Sequence, residues 1–462
     1  MSENKIWIKN PLAIWTGNDL DAGGGLVICD NKINELVPSG CQPSCLKENP
    51  GLDLKIFDAR NKVVLPGFIN CHHHFYQTLT RAFPSALNKE LFGWLVSLYP
   101  IWSGLDEECI ALSTELALAE LMLSGCTTAS DHHYLFNSTI NQAIDIQVDI
   151  VKKMGVRAVL TRGSMSLGKD EGGLPPNSVV QTEELILSES ERLISRYHQA
   201  HDGAMIQIAL APCSPFSVTE NIMRDSALLA RKHGVLLHTH LAETLDENQF
   251  CLERFGQRPV EYLERVGWLQ DDVWLAHGIH FTDDEILRLG RAKVAVSHCP
   301  SSNMMLASGK ARVLDLEAAG CPVGLGVDGS ASNDASNMIE EVRQAFLLQR
   351  LHYGAEKVGH EEVFRWATKG GADLFRREDI GEIAVGKQAD LSVFELDELR
   401  FSGSHDPLAA LVLCGAKTVS DLMIAGQWRV NDGELIGVDL CALRDSHSRA
   451  ARALIERHST KL

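Results

Sequence analysis

Four short stretches of this chain bring imidazoles and carboxylates together at spacings that suit a cation and a water molecule. The first is His72-His73-His74. Side chains of a strand alternate between faces, so His72 and His74 point one way and His73 the other. Two imidazoles on one face can grip one cation; a solvated His-rich loop is the competing reading, and packing is the expected role of His73. The second is His238-Thr239-His240-Leu241-Ala242-Glu243, where His238 and His240 again share a face. His240 lies nearer the end of the run and is the candidate ligand, His238 the candidate packing residue. Glu243 sits just beyond, within reach of a cation-held water without being a ligand. The third, Ala276-His277-Gly278-Ile279-His280, places His277 directly after an apolar run, able to polarise a water or a substrate, with His280 further into the loop. The fourth, Val327-Asp328-Gly329-Ser330, closes a buried run with a carboxylate, which is costly there unless a cation or a neighbouring His pairs with it. An ordinary helix-capping role for Asp328 stays open. Three imidazoles and a carboxylate suit one divalent metal, Zn²⁺ first and Fe²⁺ as the alternative, with a position left for water.

These tails need elements to carry them. Eight apolar runs each end in a polar or His-bearing tail: VVLPGFINCHHH, CTTASDHH, RAVLTRG, IQIALAP, GVLLHTHLAE, VWLAHGIH, VAVSHCP and PVGLGVDG. Helical patterns such as ECIALSTELALAELMLSG intervene. Buried strands alternating with amphipathic helices predict a parallel sheet covered on both faces, and eight units predict closure as a (β/α)8 barrel over residues 64–383. In such a barrel the site lies where strands run into their following loops. Short strand-like snippets at residues 1–63 and 384–436 are each too small to bury a core and are expected to combine as one β-rich domain. Residues 437–462 read as an exposed helical tail.

Composition narrows the partners. The 462 residues carry a formal charge of −18, which opposes binding to a phosphate polymer. The 12 Cys include no CxxC pair, so reduced thiols in a cytoplasmic protein are expected rather than a disulfide framework. MSENKIWIKN lacks the pattern of a secretory leader, and no apolar run reaches the ~18 residues of a membrane span.

The tails, taken together, resemble the amidohydrolase superfamily in its cytosine/guanine deaminase and triazine hydrolase branch. LPGFINCHHHFYQTL is similar to the family's strand-one motif, HTHLAE to its strand-five motif, AHGIH to its strand-six motif and GVDGSASND to its strand-eight motif, while GEIAVGKQADLSVFEL resembles the segment that returns the chain to the β-rich domain. The resemblance implies that His72, His74, His240 and Asp328 hold the metal, and that Glu243, His277 and Asp328 handle protons and charge during water attack. IQIALAP offers no Lys for carboxylation, which implies the mononuclear form of the site. Within the branch, HHHFYQTLTR and CTTASDHHYLF are most similar to 8-oxoguanine deaminases, and hydroxydechloroatrazine ethylaminohydrolase is similar across the same segments. The implied activity is hydrolytic deamination of an aminated nitrogen heterocycle, 8-oxoguanine to urate and ammonia first. A hydroxy-s-triazine N-alkylaminohydrolase or a guanine or isocytosine deaminase is the alternative. Related guanine deaminases carry HxxQ after strand one, so His74-Phe75-Tyr76-Gln77 makes Gln77 a candidate for binding the substrate. A homo-oligomer is expected from the likeness alone.

Further candidates are less determined. Arg162 ends the third run and is read either as a substrate-binding residue or as one half of an internal salt bridge, and Arg81 either as a pocket residue or a surface one. Asp131, His132 and His133 are expected to support the ligands from behind. Trp94, Tyr99 and Trp102 either wall the pocket or pack the core. Cys299-Pro300-Ser301-Ser302-Asn303 is expected to shape the loop beside the metal, with His298 in that wall. A scaffold that had lost its site would lack some of these groups. An iron oxygenase needs only two His and one carboxylate, and the additional His with the Glu243/His277 pair suits hydrolysis better.

Overall fold

The eight runs form the eight parallel strands of a closed barrel. They are β1 (Phe68–Asn70), β2 (Cys126–His133), β3 (Arg157–Ser164), β4 (Ile206–Pro212), β5 (Leu237–Leu241), β6 (Val273–His277), β7 (Ala295–His298) and β8 (Val323–Leu325). Each strand pairs with its neighbours in chain order, and Leu325 of β8 sits opposite Asn70 of β1 to close the ring. This computed structural model describes residues 5–17, 20–48 and 54–459. The loops that follow the middle strands end in the same local device. Thr182, Thr219, Thr244 and Thr282 each accept a backbone N–H from the first turn of the next helix, starting Glu183–Tyr197, Glu220–His233, Leu245–Phe255 and Asp283–Arg291. A capping hydroxyl satisfies a backbone donor that the helix cannot, so each of these helices has a defined start.

The chain ends add two sheets outside the barrel. One has four strands, in the order Lys32–Val37, Gly25–Cys29, Lys5–Lys9 and Lys55–Asp58. The other has six, running Glu434–Leu435, Gln427–Asn431, Asp421–Ile424, Leu391–Glu395, Lys62–Pro66 and Ala13–Ile14. In the second, Lys62–Pro66 from the N-terminal side pairs antiparallel with Leu391–Glu395 from the C-terminal side. The fold is thus the expected barrel with a β-rich part built from both ends of the chain.

Two expectations are corrected. The run VVLPGFINCHHH is not one strand: Lys62–Pro66 belongs to the terminal sheet and Phe68–Asn70 to the barrel, with Gly67 between them. A Cβ at Gly67 would lie 2.1 Å from Thr127 Oγ1, so only glycine lets the chain cross there so close to β2. The C-terminal helix, Leu440–Ser459, is also not an exposed tail. It buries Leu443, Ala450 and Leu454 against the main core, and His447 bonds Thr78 Oγ1 at 3.0 Å.

A buried ion pair pins the terminal sheet to the barrel floor. Arg157 at the start of β3 is 1% exposed and grips Asp390 with Nε–Oδ2 at 2.8 Å and a second bond at 3.1 Å, while Asp390 also accepts the Ala425 N–H at 2.7 Å. Removing one partner strands the other charge without water. Asp390→Ala is therefore expected to cost about 3–5 kcal/mol of stability, read from denaturant unfolding.

Candidate active site

All four tails converge at the C-terminal mouth of the barrel. His72 Nε2 and His74 Nε2 each lie 3.3 Å from Asp328 Oδ1, and His74 Nε2 lies 3.2 Å from His240 Nε2. Nitrogen ligand atoms of His72, His74, His132 and His240 fall within 4.8 Å of one another, and so do ligand atoms of His72, His277 and Asp328. All of these residues are buried.

The hydrogen bonds behind the rings decide which nitrogens face the centre. A carbonyl can only accept, so His74 donates Nδ1–H to the His132 carbonyl at 2.8 Å and His240 donates Nδ1–H to the Cys213 carbonyl at 2.7 Å. His238 donates Nδ1–H to the Trp274 carbonyl at 2.9 Å, which leaves its Nε2 as an acceptor; His72 then donates Nδ1–H to that Nε2 at 2.8 Å. Burial holds the pKa of all four imidazoles below the usual histidine range, so they are neutral. Three bare Nε2 lone pairs thus face one carboxylate in a buried site. Among the described residues, His72 Nε2 has no hydrogen-bond partner. Neutral imidazoles whose other N–H is held by an acceptor, here two carbonyls and the His238 ring, are the arrangement seen around bound divalent metals, and the donor set fits one such ion. His238 is therefore more than a packing residue. It stacks on Trp274 with ring centroids 4.3 Å apart and also aims His72.

The backbone is strained where the tails turn inward. Ala242, His277 and Asp328 have φ of 53°, 71° and 62°. Non-glycine residues rarely adopt this left-handed region, at a cost of order 1–3 kcal/mol each. Such strain at three strand ends of one site is what placing side chains for chemistry demands. His277 Nε2 lies 3.5 Å from Glu243 Oε2 and 3.7 Å from Asp328 Oδ2, and His277 Nδ1 meets Asn303 Oδ1 at 2.9 Å. Burial pushes the Glu243 carboxyl up to about 7, while the neighbouring carboxylates Glu243 and Asp328 outweigh burial at His277 and raise its pKa.

The family profile described as "Amidohydrolase family" matches residues 63–429. The chain belongs to the amidohydrolase family. It is 61% identical to an 8-oxoguanine deaminase of Pseudomonas aeruginosa over 98% of this chain and 99% of that protein. It is 35% identical to hydroxydechloroatrazine ethylaminohydrolase of Pseudomonas sp. strain ADP, covering 94% and 91% of the two chains. Among solved structures, the zinc complex of an atrazine chlorohydrolase from Arthrobacter aurescens TC1 superposes with a TM-score of 0.89 at 29% identity, covering 96% of this chain and all of the other. This chain is thus an enzyme of the hydrolytic deaminase kind with a buried His/Asp metal site, and among its described residues no helix is long and apolar enough to cross a membrane.

A cavity in this amidohydrolase opens beside the metal centre, walled by Gln77, Trp94, Tyr99, Tyr134, Cys213 and Phe216. Gln77 sits on the short 3-10 turn Phe75–Thr80, which Asp131 holds by accepting the Phe75 N–H at 2.6 Å. Its Oε1 accepts the Ala331 N–H at 3.3 Å. Trp102 stands behind the wall, donating to Thr80 Oγ1 at 3.0 Å. Arg162 does not line this cavity. Along β2 and β3, His132 is in register with Thr161, and Arg162 with His133, so Arg162 faces away from the histidine cluster. Its guanidinium bonds Gln181 Oε1 at 2.7 Å and lies 4.0 Å from the Phe136 ring centroid. Arg81 pairs with Glu120 and Ser330, outside the cavity. His298 bonds Gln349 at 3.0 Å, also away from it. Three polar wall residues were not singled out from the sequence: Tyr134 directly follows the Asp131-His132-His133 tail, Cys213 directly follows IQIALAP, and Ser332 lies four residues beyond Asp328. The strand-end rule that pointed to the ligands points to Tyr134 and Cys213 as well.

Proposed function

We propose that this amidohydrolase converts 8-oxoguanine and water to urate and ammonia, using one zinc ion per subunit held by His72, His74, His240 and Asp328. The observation that carries the substrate is the 61% identity to an 8-oxoguanine deaminase along almost the whole of both chains, against 35% for the triazine-acting relative. The zinc complex of a structural neighbour and the unpartnered His72 Nε2, 3.3 Å from Asp328, support the metal. A cytoplasmic homo-oligomer completes the reading.

The cation, when bound, supplies a water acidic enough to attack near neutral pH, its pKa lowered toward ~7. The protein groups supply the rest. Asp328 takes the proton that the attacking water loses. Glu243 gives a proton to the ring nitrogen beside the aminated carbon, and His277 steadies the charge that develops on the attacking oxygen. The bond from the tetrahedral carbon to its amine then breaks: the proton on Asp328 leaves with ammonia, and the hydroxyl left on that carbon gives its proton back to Glu243 as the carbonyl forms.

Gln77 offers a donor and an acceptor together, which match the amide edge of a purine. Trp94 donates its indole N–H to the Ala331 carbonyl at 3.1 Å, which holds the helix Leu91–Trp102 down over the cavity. Leu91, Leu95 and Tyr99 of the same helix complete that side of the wall.

The deciding assay supplies 8-oxoguanine, guanine, isocytosine and an N-ethyl hydroxytriazine to the purified protein and measures ammonia, ethylamine and urate. The highest kcat/KM on 8-oxoguanine with urate as product is expected. Faster release of ethylamine from the triazine would overturn the substrate.

The Gln77 role has its own test. A Cβ at Gly329 would lie 1.9 Å from Gln77 Oε1 and 2.2 Å from its Cδ. Gly329→Ala is therefore expected to push the amide aside and raise KM about tenfold, the scale of one lost hydrogen bond of about 1.4 kcal/mol, with kcat changed much less. Steady-state kinetics on 8-oxoguanine checks it.

A further inference from the structure

Two sequence features have no place in the mechanism above: the second His of the AHGIH tail and the CPSSN motif after β7. The structure joins them into one ring of contacts around Glu243 and His277. Asn303 accepts the His277 Nδ1–H on its Oδ1 at 2.9 Å and is 1% exposed. Five residues on, Ser308 points its hydroxyl at Glu243 Oε1, 3.5 Å away. The two are tied to each other, because the Ser308 N–H donates to the Asn303 carbonyl at 2.9 Å. His280 pegs the far side of the loop, its Nε2 2.8 Å from the Ser308 carbonyl. His280 also donates its backbone N–H to the Ala242 carbonyl at 2.9 Å, immediately before Glu243. Glu243 Oε2 and His277 Nε2, 3.5 Å apart, close the ring. The loop is pressed onto the β6 tail at Gly309, where a Cβ would lie 2.9 Å from Ile279 Cγ2.

We propose that the segment of residues 299–309, the short helix Pro300–Met305 and the turn after it, is a positioning element for proton transfer, in which Asn303 orients His277, Ser308 orients Glu243, and His280 anchors this loop-like segment to the strands that carry both. The proposal rests on the roles given to Glu243 and His277 above. The chemistry favours these residue types. A neutral amide carbonyl fixes the His277 ring by accepting one N–H, leaving Nε2 turned to the centre without adding a third carboxylate to the Glu243 and Asp328 pair. A serine hydroxyl can donate to one Glu243 oxygen while the other faces His277. Its 3.5 Å separation is long for a hydroxyl–carboxylate bond, and bonds of this kind tighten when substrate fills the site. None of the three touches the metal ligands' nitrogens, so they act through other side chains.

The test compares Asn303→Ala, Ser308→Ala and His280→Ala with Glu243→Gln in the metal-loaded enzyme. For each, kcat, KM, bound metal and melting midpoint are measured. The expected result is a kcat lowered about 10–100-fold, the scale for groups that orient a metal site's working residues, with KM within about twofold of the parent and metal unchanged. The conservative variants should recover most of the loss: Ser308→Thr keeps a hydroxyl and His280→Gln keeps an N–H donor. In the Glu243→Gln background, Ser308→Ala should add nothing, because it acts through Glu243. Normal kcat in Ser308→Ala and Asn303→Ala beside a crippled Glu243→Gln overturns the loop proposal alone. So does full additivity of Ser308→Ala with Glu243→Gln. Normal turnover in Glu243→Gln overturns the reading of the site and the loop proposal with it. If Asn303→Ala does not fold, Ser308→Ala and the His280→Ala and His280→Gln pair decide.

Discussion

Glu243→Gln should lose roughly 10²–10⁴-fold in turnover while keeping its metal, the range that general acid–base catalysis contributes. The side chain is buried, and its carboxyl is pushed up to about 7 by loss of water first, with Asp328 pushing the same way and His277 and the Ser308 hydroxyl opposing. An acid in that range can hold a proton and release it at the pH where the enzyme works. Glutamine keeps the size of the group and its contact with Ser308 but has no proton to exchange. The backbone N–H of residue 243 stays fixed, since it donates to Glu247 Oε2 at 3.1 Å and not to its own side chain. No ligand nitrogen contacts this carboxylate directly, so metal content should not change. Metal analysis beside kcat on 8-oxoguanine separates the outcomes. A variant with normal turnover would take Glu243 out of the chemistry, and one that lost its metal would make the residue a structural support of the ligands.

What could be read from the chain and what could not divides along the reach of the signals. Strand alternation and chain order are local, and they placed His72 with His74 and His240 beside them without any knowledge of the fold. Arg162 was a candidate only because it ends the third run, and a strand-end position says nothing of the face a side chain takes. Thr161, not Arg162, is in register with His132, and one step along a strand reverses the face. Alternation also put His238 on the inner face but could not say that its Nε2 receives the His72 N–H, because that bond crosses the barrel between residues 166 apart. The break at Gly67 was hidden because Lys62–Pro66 and Phe68–Asn70 are equally apolar, and only their different partners, Leu391–Glu395 and Cys126–His133, show that they belong to different sheets. The C-terminal helix looked exposed because its sequence is rich in Arg and Ser. Its narrow apolar stripe of Leu443, Ala450 and Leu454 finds a partner only once the helix Glu107–Leu123 and the Phe75–Thr80 turn are in place. Tyr134 and Cys213 carry no distinctive spacing of their own, and they become wall residues only because β2 and β4 end beside the histidines.

Removing one ligand should have the larger effect on the metal itself. His72→Ala is expected to abolish stoichiometric binding, and activity should fall in proportion to the metal lost, beyond the ~10–100-fold that outer partners of a metal site cost. His72 supplies one of three bare Nε2 atoms around Asp328, and its hydrogen-bond partner His238 cannot replace that nitrogen, since it already spends its Nδ1–H on Trp274 and its Nε2 on His72. Alanine also leaves a hole against the β8 backbone, where the Asp328 N–H donates to the His72 carbonyl at 3.0 Å. A fall in activity alone would therefore not separate lost metal from disturbed packing. Asp328→Asn does, because it keeps the shape while removing the charge that lies 3.3 Å from both His72 Nε2 and His74 Nε2. Both variants should come out metal-poor. The parent should melt lower after chelation, since an ion held at 1,000 times its dissociation constant adds about 4.1 kcal/mol to the folded state, and neither variant should respond to the chelator. Full metal in both variants would mean that the cation sits elsewhere among the imidazoles, with His132 as the remaining member of the cluster able to hold it.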